Sequence, residues 1–294
     1  MKIFIALCLT LATTLQAEDG DVRRELEKVY STWRTALASH DTASWLRSTA
    51  SYRQAVTRNM IVSQKQPFPD ALFALPLHPP DTAALHLVKT EVIGATAHLI
   101  YFGKVDLGIA ESGEIPENLL VLKYIKDGGT WKFDTTQIIN LAGSPDIRSQ
   151  IKNAGTSAAL NDPGLSPSGI VPATPPMCRA PDKIAVLQTS SQGYSTNVKI
   201  NNYDIATVTD NAEQHLIIGG LNNGENPLKL TIKPTEIAEG VKREIDINAL
   251  IITGEESKPT IRVFTWKPSG DTAPTEADLI IHVNRLTLKG SSEN

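Results

Sequence analysis

Residues 118–141 read NLLVLKYIKDGGTWKFDTTQIINL, and this stretch decides the fold of the front half of the chain. Leu119, Leu120, Val121, Leu122, Tyr124 and Ile125 form a nearly continuous apolar run, which suits a strand covered on at least one face. Asp127, Gly128 and Gly129 interrupt it, and a glycine pair after aspartate supplies the positive φ angles that a tight hairpin turn demands. Beyond the turn Trp131, Phe133 and Thr135 alternate with Lys132, Asp134 and Thr136, so the return strand has one aromatic and one polar face. A lone hairpin is marginal in water. The rest of the front half must cover its apolar face.

Working outward, residues 21–39 predict an amphipathic helix. Val22, Leu26, Val29, Trp33 and Leu37 recur at the spacing of one helical face, with Arg23, Arg24, Glu27, Lys28 and Arg34 opposite. Asp41 is placed to cap a second, short helix carrying Trp45 and Leu46, and a third helical stretch covers Tyr52 to Met60. Prolines at 67, 69, 76, 79 and 80 then mark a loop. Strand character begins near Ala84, turns at Gly94 and continues through TAHLIYFGKV. Two or three helices followed by about four antiparallel strands make an α+β arrangement.

After Leu141 the texture changes. Ser144-Pro145-Asp146 signals a short helix with Ile147 and Ile151 on one side, and six prolines lie between Pro163 and Pro181. Residues 144–181 are therefore expected to form a Pro/Ser/Gly-rich linker. Residues 182–290 give about seven short apolar or alternating runs, among them Ile184–Leu187, Val198–Ile200, Ile205–Val208, His215–Ile218 and Ile261–Trp266, with a turn at Asn201-Asn202. That spacing predicts an all-β sandwich domain.

Composition narrows the function. The chain has 294 residues, and 28 Lys plus Arg against 32 Asp plus Glu give a net charge of −4, so no basic surplus exists to hold a nucleic-acid backbone. Lys2, the apolar run IFIALCLTLATTL and Gln16-Ala17 ahead of Glu18-Asp19 describe a secretory signal peptide over residues 1–17. The expected address is periplasmic or secreted in a bacterium, without a membrane span. Cys8 falls inside that segment, leaving Cys178 as a single thiol, read as a partly buried bystander.

The six histidines are scattered, with no pair at helical ligand spacing, and there is no phosphate loop, nucleophile elbow or EF-hand loop. No cofactor and no metal is expected. His98, which shares a strand face with Ile100 and Phe102, is the one candidate proton-transfer base. Trp33 and Trp45 are candidates for the lining of a pocket beneath the first helix. On the strand 261–266, Arg262, Phe264 and Trp266 share one face and are candidates for a glycan-stacking platform.

The long first helix with WRTALASHDTASWL, followed by paired strands ending in LLVLKYIKDGGTWKFD, resembles the nuclear-transport-factor-2-like superfamily, which includes SnoaL-like proteins and ketosteroid isomerases. The resemblance covers residues 20–143 and implies an α+β cone, a curved sheet around a pocket that the first helix covers. It also implies that His98 stands beside that pocket and that copies pair through the sheet as a homodimer. The family's catalytic acids match no motif here. The element GLNNGENPLKLTI resembles, more weakly, a turn of galactose-binding-like jelly rolls, with an immunoglobulin-like sandwich as the other reading. The expectation is an exported, non-catalytic protein that binds a small molecule or a protein partner in the cone, with the sandwich for recognition or attachment. The alternatives are a cone-domain isomerase, dehydratase or hydrolase using His98, and a glycan-binding surface protein.

Overall fold

The computed structural model describes residues 4–74, 79–105, 115–268 and 272–284, with side chains from residue 20 onward. The chain divides into two compact units, the first comprising Met1–Gln54 with Phe73–Thr174 and the second Ala55–Leu72 with Pro175–Asn294. Helices and antiparallel sheets are both present, so the protein is α+β. Among the described residues no helix is long and apolar enough to cross a membrane.

In the first unit, helices α1 (Phe4–Ala38), α2 (Thr42–Ser48) and the first turn of α3 (Ser51–Ser63) precede four strands. These are β1 (His86–Ile93), β2 (Thr96–Lys104), β3 (Glu117–Asp127) and β4 (Thr130–Asn140), paired as an antiparallel meander in the order β1-β2-β3-β4. The β3–β4 turn follows its sequence chemistry, with Gly128 at φ 60° and Gly129 at φ 84°. Asp41 caps α2, its Oδ1 accepting the Ser44 N–H at 3.0 Å. Helix α1 begins at Phe4 and not at residue 21, because nothing between the apolar run and the amphipathic stretch stops it; Gly20 alone costs only about 1 kcal/mol.

The sheet is covered on both faces. Leu26 and Tyr30 of α1 pack with Leu99, Tyr101, Leu120, Leu122, Tyr124 and Phe133 on one side. Ile100, Phe102, Leu119 and Val121 face the other way and meet Leu141, Ile151, Leu160 and Leu165. Two-sided cover is why β3 reads as a nearly continuous apolar run.

The second cover corrects the expected linker over residues 144–181. Residues 144–174 belong to the first unit. They form α4 (Pro145–Ala154) and two 3₁₀ turns, Ala158–Asn161 and Pro163–Leu165. Pro145 and Pro163 open their helices at positions where a missing N–H costs nothing. Ile151, Leu160 and Leu165 are buried. Composition suggested a tether, but a few apolar residues at wide spacing suffice to dock the segment.

In the second unit a six-stranded sheet comprises β5 (Ala185–Ile200), β6 (Tyr203–Leu216), β7 (Gly224–Pro234), β8 (Glu244–Ile252), β9 (Thr260–Trp266) and β10 (Glu276–Val283). Among the described residues six strands stand where about seven were expected, because TSSQGYSTN continues β5 instead of breaking it and the runs at Ile205–Val208 and His215 share the one strand β6. The long β5–β6 hairpin turns at Asn201-Asn202, both with positive φ. Along its other edge β5 pairs first with β8, through residues 185–192, and then with β7, through residues 194–200. The change of partner falls at Gly193 (φ 74°), inside a bulge between Ser191 and Ser195. With β9 beside β8 and β10 beside β7, the sheet curls until β9 and β10 approach, nearly closing a barrel around one apolar core.

The rest of α3 belongs to this second unit. Asn59 Oδ1 accepts the Cys178 N–H at 2.9 Å, and Ser63 Oγ accepts the Gly219 N–H at 2.7 Å. Cys178 is fully buried, its Sγ 3.6 Å from the Asn59 carbonyl oxygen and 3.7 Å from Ser63 Oγ. It is a component of this packing within the second unit.

Candidate functional site

The face of the first sheet beneath α1 is not uniformly apolar. It carries three tyrosines, Tyr30 from α1, Tyr101 from β2 and Tyr124 from β3, all nearly inaccessible to solvent. Tyr101 and Tyr124 point the same way because residues 97, 99 and 101 of β2 and residues 120, 122 and 124 of β3 face α1 in the pleat. Phe133 stands at the centre of the surrounding aromatic group, with ring centroids 4.2 Å from Trp33, 5.2 Å from Tyr30 and 5.8 Å from Tyr124.

The three hydroxyls are treated differently. Tyr30 donates to the Pro80 carbonyl at 2.9 Å. Tyr101 donates to Glu27 Oε1 at 2.9 Å, and the same oxygen accepts from Arg23 Nε at 2.9 Å. Tyr124, 1 % exposed, has no hydrogen-bond partner for its hydroxyl among the described residues. Leaving a buried donor unmatched costs about 1–3 kcal/mol. Burial pushes the hydroxyl pKa of all three upward. For Tyr101 the Glu27 carboxylate adds to it, and for Tyr124 the neighbouring tyrosines and Glu27 do. All three therefore stay protonated and serve as neutral donors.

The residues singled out in the sequence do not converge. Trp33 packs over the tyrosine-bearing face. Trp45 is buried in α2. His98 lies on the opposite face of the sheet with Ile100 and Phe102, beneath the 144–174 segment, where its Nδ1–H donates to the Leu165 carbonyl at 2.8 Å. Burial lowers its pKa below the ordinary 6.5. Alternation correctly grouped His98 with Ile100 and Phe102. It could not say which cover each face would receive. The histidine is a neutral anchor for a docked segment, on the side away from the α1 cover.

Arg262, Phe264 and Trp266 do not share a face either. A bulge opposite Ala249 and Leu250 shifts the register, so Phe264 and Trp266 oppose Ala249 and Ile247 on the core side, while Arg262 opposes Leu250. Phe264 and Trp266 pack onto the core, and Arg262 is exposed. Among the described residues no group of three or more His, Cys, Asp or Glu side chains is arranged to hold a metal ion.

Sequence reasoning passed over Tyr101, Tyr124 and Glu27. The available signal was a tyrosine inside a largely apolar strand run, since its hydroxyl must find a partner once the run is buried. No protein-family model, curated protein or solved structure matches the chain.

Proposed function

We propose that the chain is an exported, non-catalytic binding protein whose first unit is a cone of the nuclear-transport-factor-2-like kind, holding a small amphipathic molecule between α1 and the sheet. The order of helices before a four-stranded meander, with α1 across one face, supports the cone reading. The fork of β5 between β8 and β7 supports reading the second unit as a sandwich whose two layers share one bent hairpin. The Lys2-led apolar run supports export. The observation that carries the binding function is the buried, unmatched hydroxyl of Tyr124 amid aromatic rings. A ligand with an apolar body and one acceptor atom satisfies that donor, reaching it by displacement of the Tyr30 and Trp33 rings. The hydroxyl–carboxylate pair beside it, Tyr101–Glu27, has its carboxylate already engaged by Arg23, which supports binding over turnover. Ile151, Leu160 and Leu165 cover the face opposite α1, so copies that pair as the resemblance implies would meet elsewhere than on that bare sheet face.

Native mass spectrometry of the full-length gene product, purified gently from an exporting bacterial host, tests this. The expected result is a mature chain lacking residues 1–17 and carrying a reproducible small-molecule mass that is depleted in Tyr124→Phe. A chain that is empty when purified and binds none of a panel of fatty acids, sterols and quinones refutes it.

A further inference from the structure

The second unit holds a cavity of about 490 Å³ that the first unit's ligand does not involve. Ser190, Ser191 and Gln192 of β5 and Asp210, Asn211 and Ala212 of β6 line it on one side, and Ile237, Ala238 and Val241 of the β7–β8 loop on the other.

The cavity exists because the β5–β6 hairpin is irregular there. The bulge between Ser191 and Ser195 leaves Gly193 opposite Asp210, and Asp210 adopts φ 48°. Its Oδ1 accepts the Gly193 N–H at 2.7 Å. The Gly193 carbonyl accepts from Arg243, whose second guanidinium N–H bonds the Thr235 carbonyl at 2.7 Å. The same guanidinium lies over the Tyr194 ring at 5.3 Å. A Cβ on Gly193 would come within 2.7 Å of Arg243 Cγ and 3.1 Å of Ile237 Cγ2. Bulge and loop are thus locked together, and both walls are fixed before any ligand arrives.

The lining chemistry narrows the occupant. Asn211 is occupied, donating to Glu213 Oε1 and accepting from the Ala212 N–H, and Ser191 is bonded to the Tyr194 carbonyl and to Thr196. The Ser190 hydroxyl, the Gln192 amide and Asp210 Oδ2 remain uncommitted and exposed. No Lys, Arg or His is among the lining residues and the single charge is a carboxylate, so an anion is repelled. One uncommitted carboxylate oxygen falls well short of the six or more that a calcium site requires. Half-polar walls do not suit a purely apolar ligand. What remains is a neutral molecule with several hydroxyls and a C–H face. Its hydroxyls donate to Asp210 Oδ2, exchange bonds with the Gln192 amide and Ser190, and leave ring carbons to lie on Ile237 and Val241.

We propose that this cavity binds a neutral saccharide, as a free sugar or as a unit of a polysaccharide. The test uses the full chain in two arms. One is titration calorimetry with neutral hexoses, N-acetylhexosamines and their α- and β-linked disaccharides, and the other is co-sedimentation with insoluble neutral polysaccharides. Binding in either arm is expected, the arm identifying the source. Asp210→Asn, which keeps the shape and tolerates a positive φ, should weaken binding about tenfold by removing a charge-assisted bond. Ala212→Trp, at an exposed position, should abolish binding by filling the cavity. Circular dichroism and the melting temperature confirm that each variant is folded, and if one fails to fold the other decides. No binding by the wild-type chain in both arms, or binding unchanged in a folded variant, overturns the proposal.

Discussion

Tyr124→Phe separates an unmatched hydroxyl from an ordinary buried tyrosine by the sign of its effect. In the unfolded chain the hydroxyl bonds water; in the fold it is buried with no partner among the described residues. Removing it should relieve about 1–3 kcal/mol of desolvation cost and leave the ring contact with Phe133 in place. The ligand-free variant should therefore be more stable than wild type, with a melting temperature higher by roughly 2–4 °C for each kcal/mol in a unit of this size. The neighbouring tyrosines provide opposite controls. Tyr101→Phe breaks a bond to a carboxylate and should cost about 1.5–3 kcal/mol, whereas Tyr30→Phe breaks a bond to a carbonyl and should cost about 1 kcal/mol. Urea unfolding followed by tryptophan fluorescence suits the comparison, because Trp33, Trp45 and Trp131 all lie in the first unit; a Trp266→Phe background silences the second. The ligand should lose several-fold to about tenfold in affinity for Tyr124→Phe, the worth of one neutral hydrogen bond. If ligand-free Tyr124→Phe is less stable than wild type by 1 kcal/mol or more, the hydroxyl has a partner and the binding argument fails.

Three further outcomes follow from the covered faces and the second sheet. His98 is held neutral with its pKa below 6.5 by burial, so the unfolded chain takes up the proton first, and the stability it contributes is intact above about pH 6.5 and lost as pH falls below it. Lys123 opposes that proton, whereas Glu91, Asp134 and the Leu165 carbonyl favour it. His98→Gln, which keeps a donor for Leu165, should lose less of its urea midpoint between pH 7.5 and 5.0 than wild type does; equal losses would rule out His98 as the source. Ile151→Ala should cost about 2–5 kcal/mol and bring protease cleavage into residues 144–174, whereas an undocked tether would show no change in stability. Trp266→Ala should destabilise the second unit by roughly 1–3 kcal/mol with any saccharide affinity intact, while Arg262→Ala should shift stability by less than about 0.5 kcal/mol; loss of saccharide binding in both would restore the platform on β9.

Where a local rule and the tertiary environment agree, the fold was legible from residues alone. The Asp127-Gly128-Gly129 turn is one case, since no other residue pair takes two positive φ angles so easily. The cap at Asp41 and the α1 stripe are others. Legibility failed where composition stood in for geometry. The prolines of residues 163–181 looked like a tether, yet Pro163 opens a 3₁₀ turn whose Leu165 is buried. TSSQGYSTN lies between two runs that read as separate strands, yet it is the bent middle of β5. Arg262 was misassigned by a single inserted residue, because a one-residue shift in a strand exchanges its faces. Tyr124 was in plain view in the opening stretch. Its importance depends on what surrounds its oxygen, and that is decided by α1 and β2, far away in sequence.

The two covers of the first sheet bear on why the proposed site falls on one side and not the other. The 144–174 cover is held by polar bonds as well as apolar contact. Its apolar residues meet Ile100, Phe102, Leu119 and Val121, His98 bonds the Leu165 carbonyl, and Lys89 bonds the Leu160 carbonyl and pairs with Glu91. A ligand there would have to displace a docked segment and break its bonds, with no unmatched ring hydroxyl to reward it. Beneath α1 one ring hydroxyl is unmatched among the described residues. Tyr30 and Tyr101 are matched, but Tyr124 is carried at a cost of about 1–3 kcal/mol. Phenylalanine would give the same ring packing without that cost, so packing alone does not account for a tyrosine. On the proposed reading an acceptor arriving with a ligand does, and the unmatched donor would then contribute to affinity instead of opposing stability.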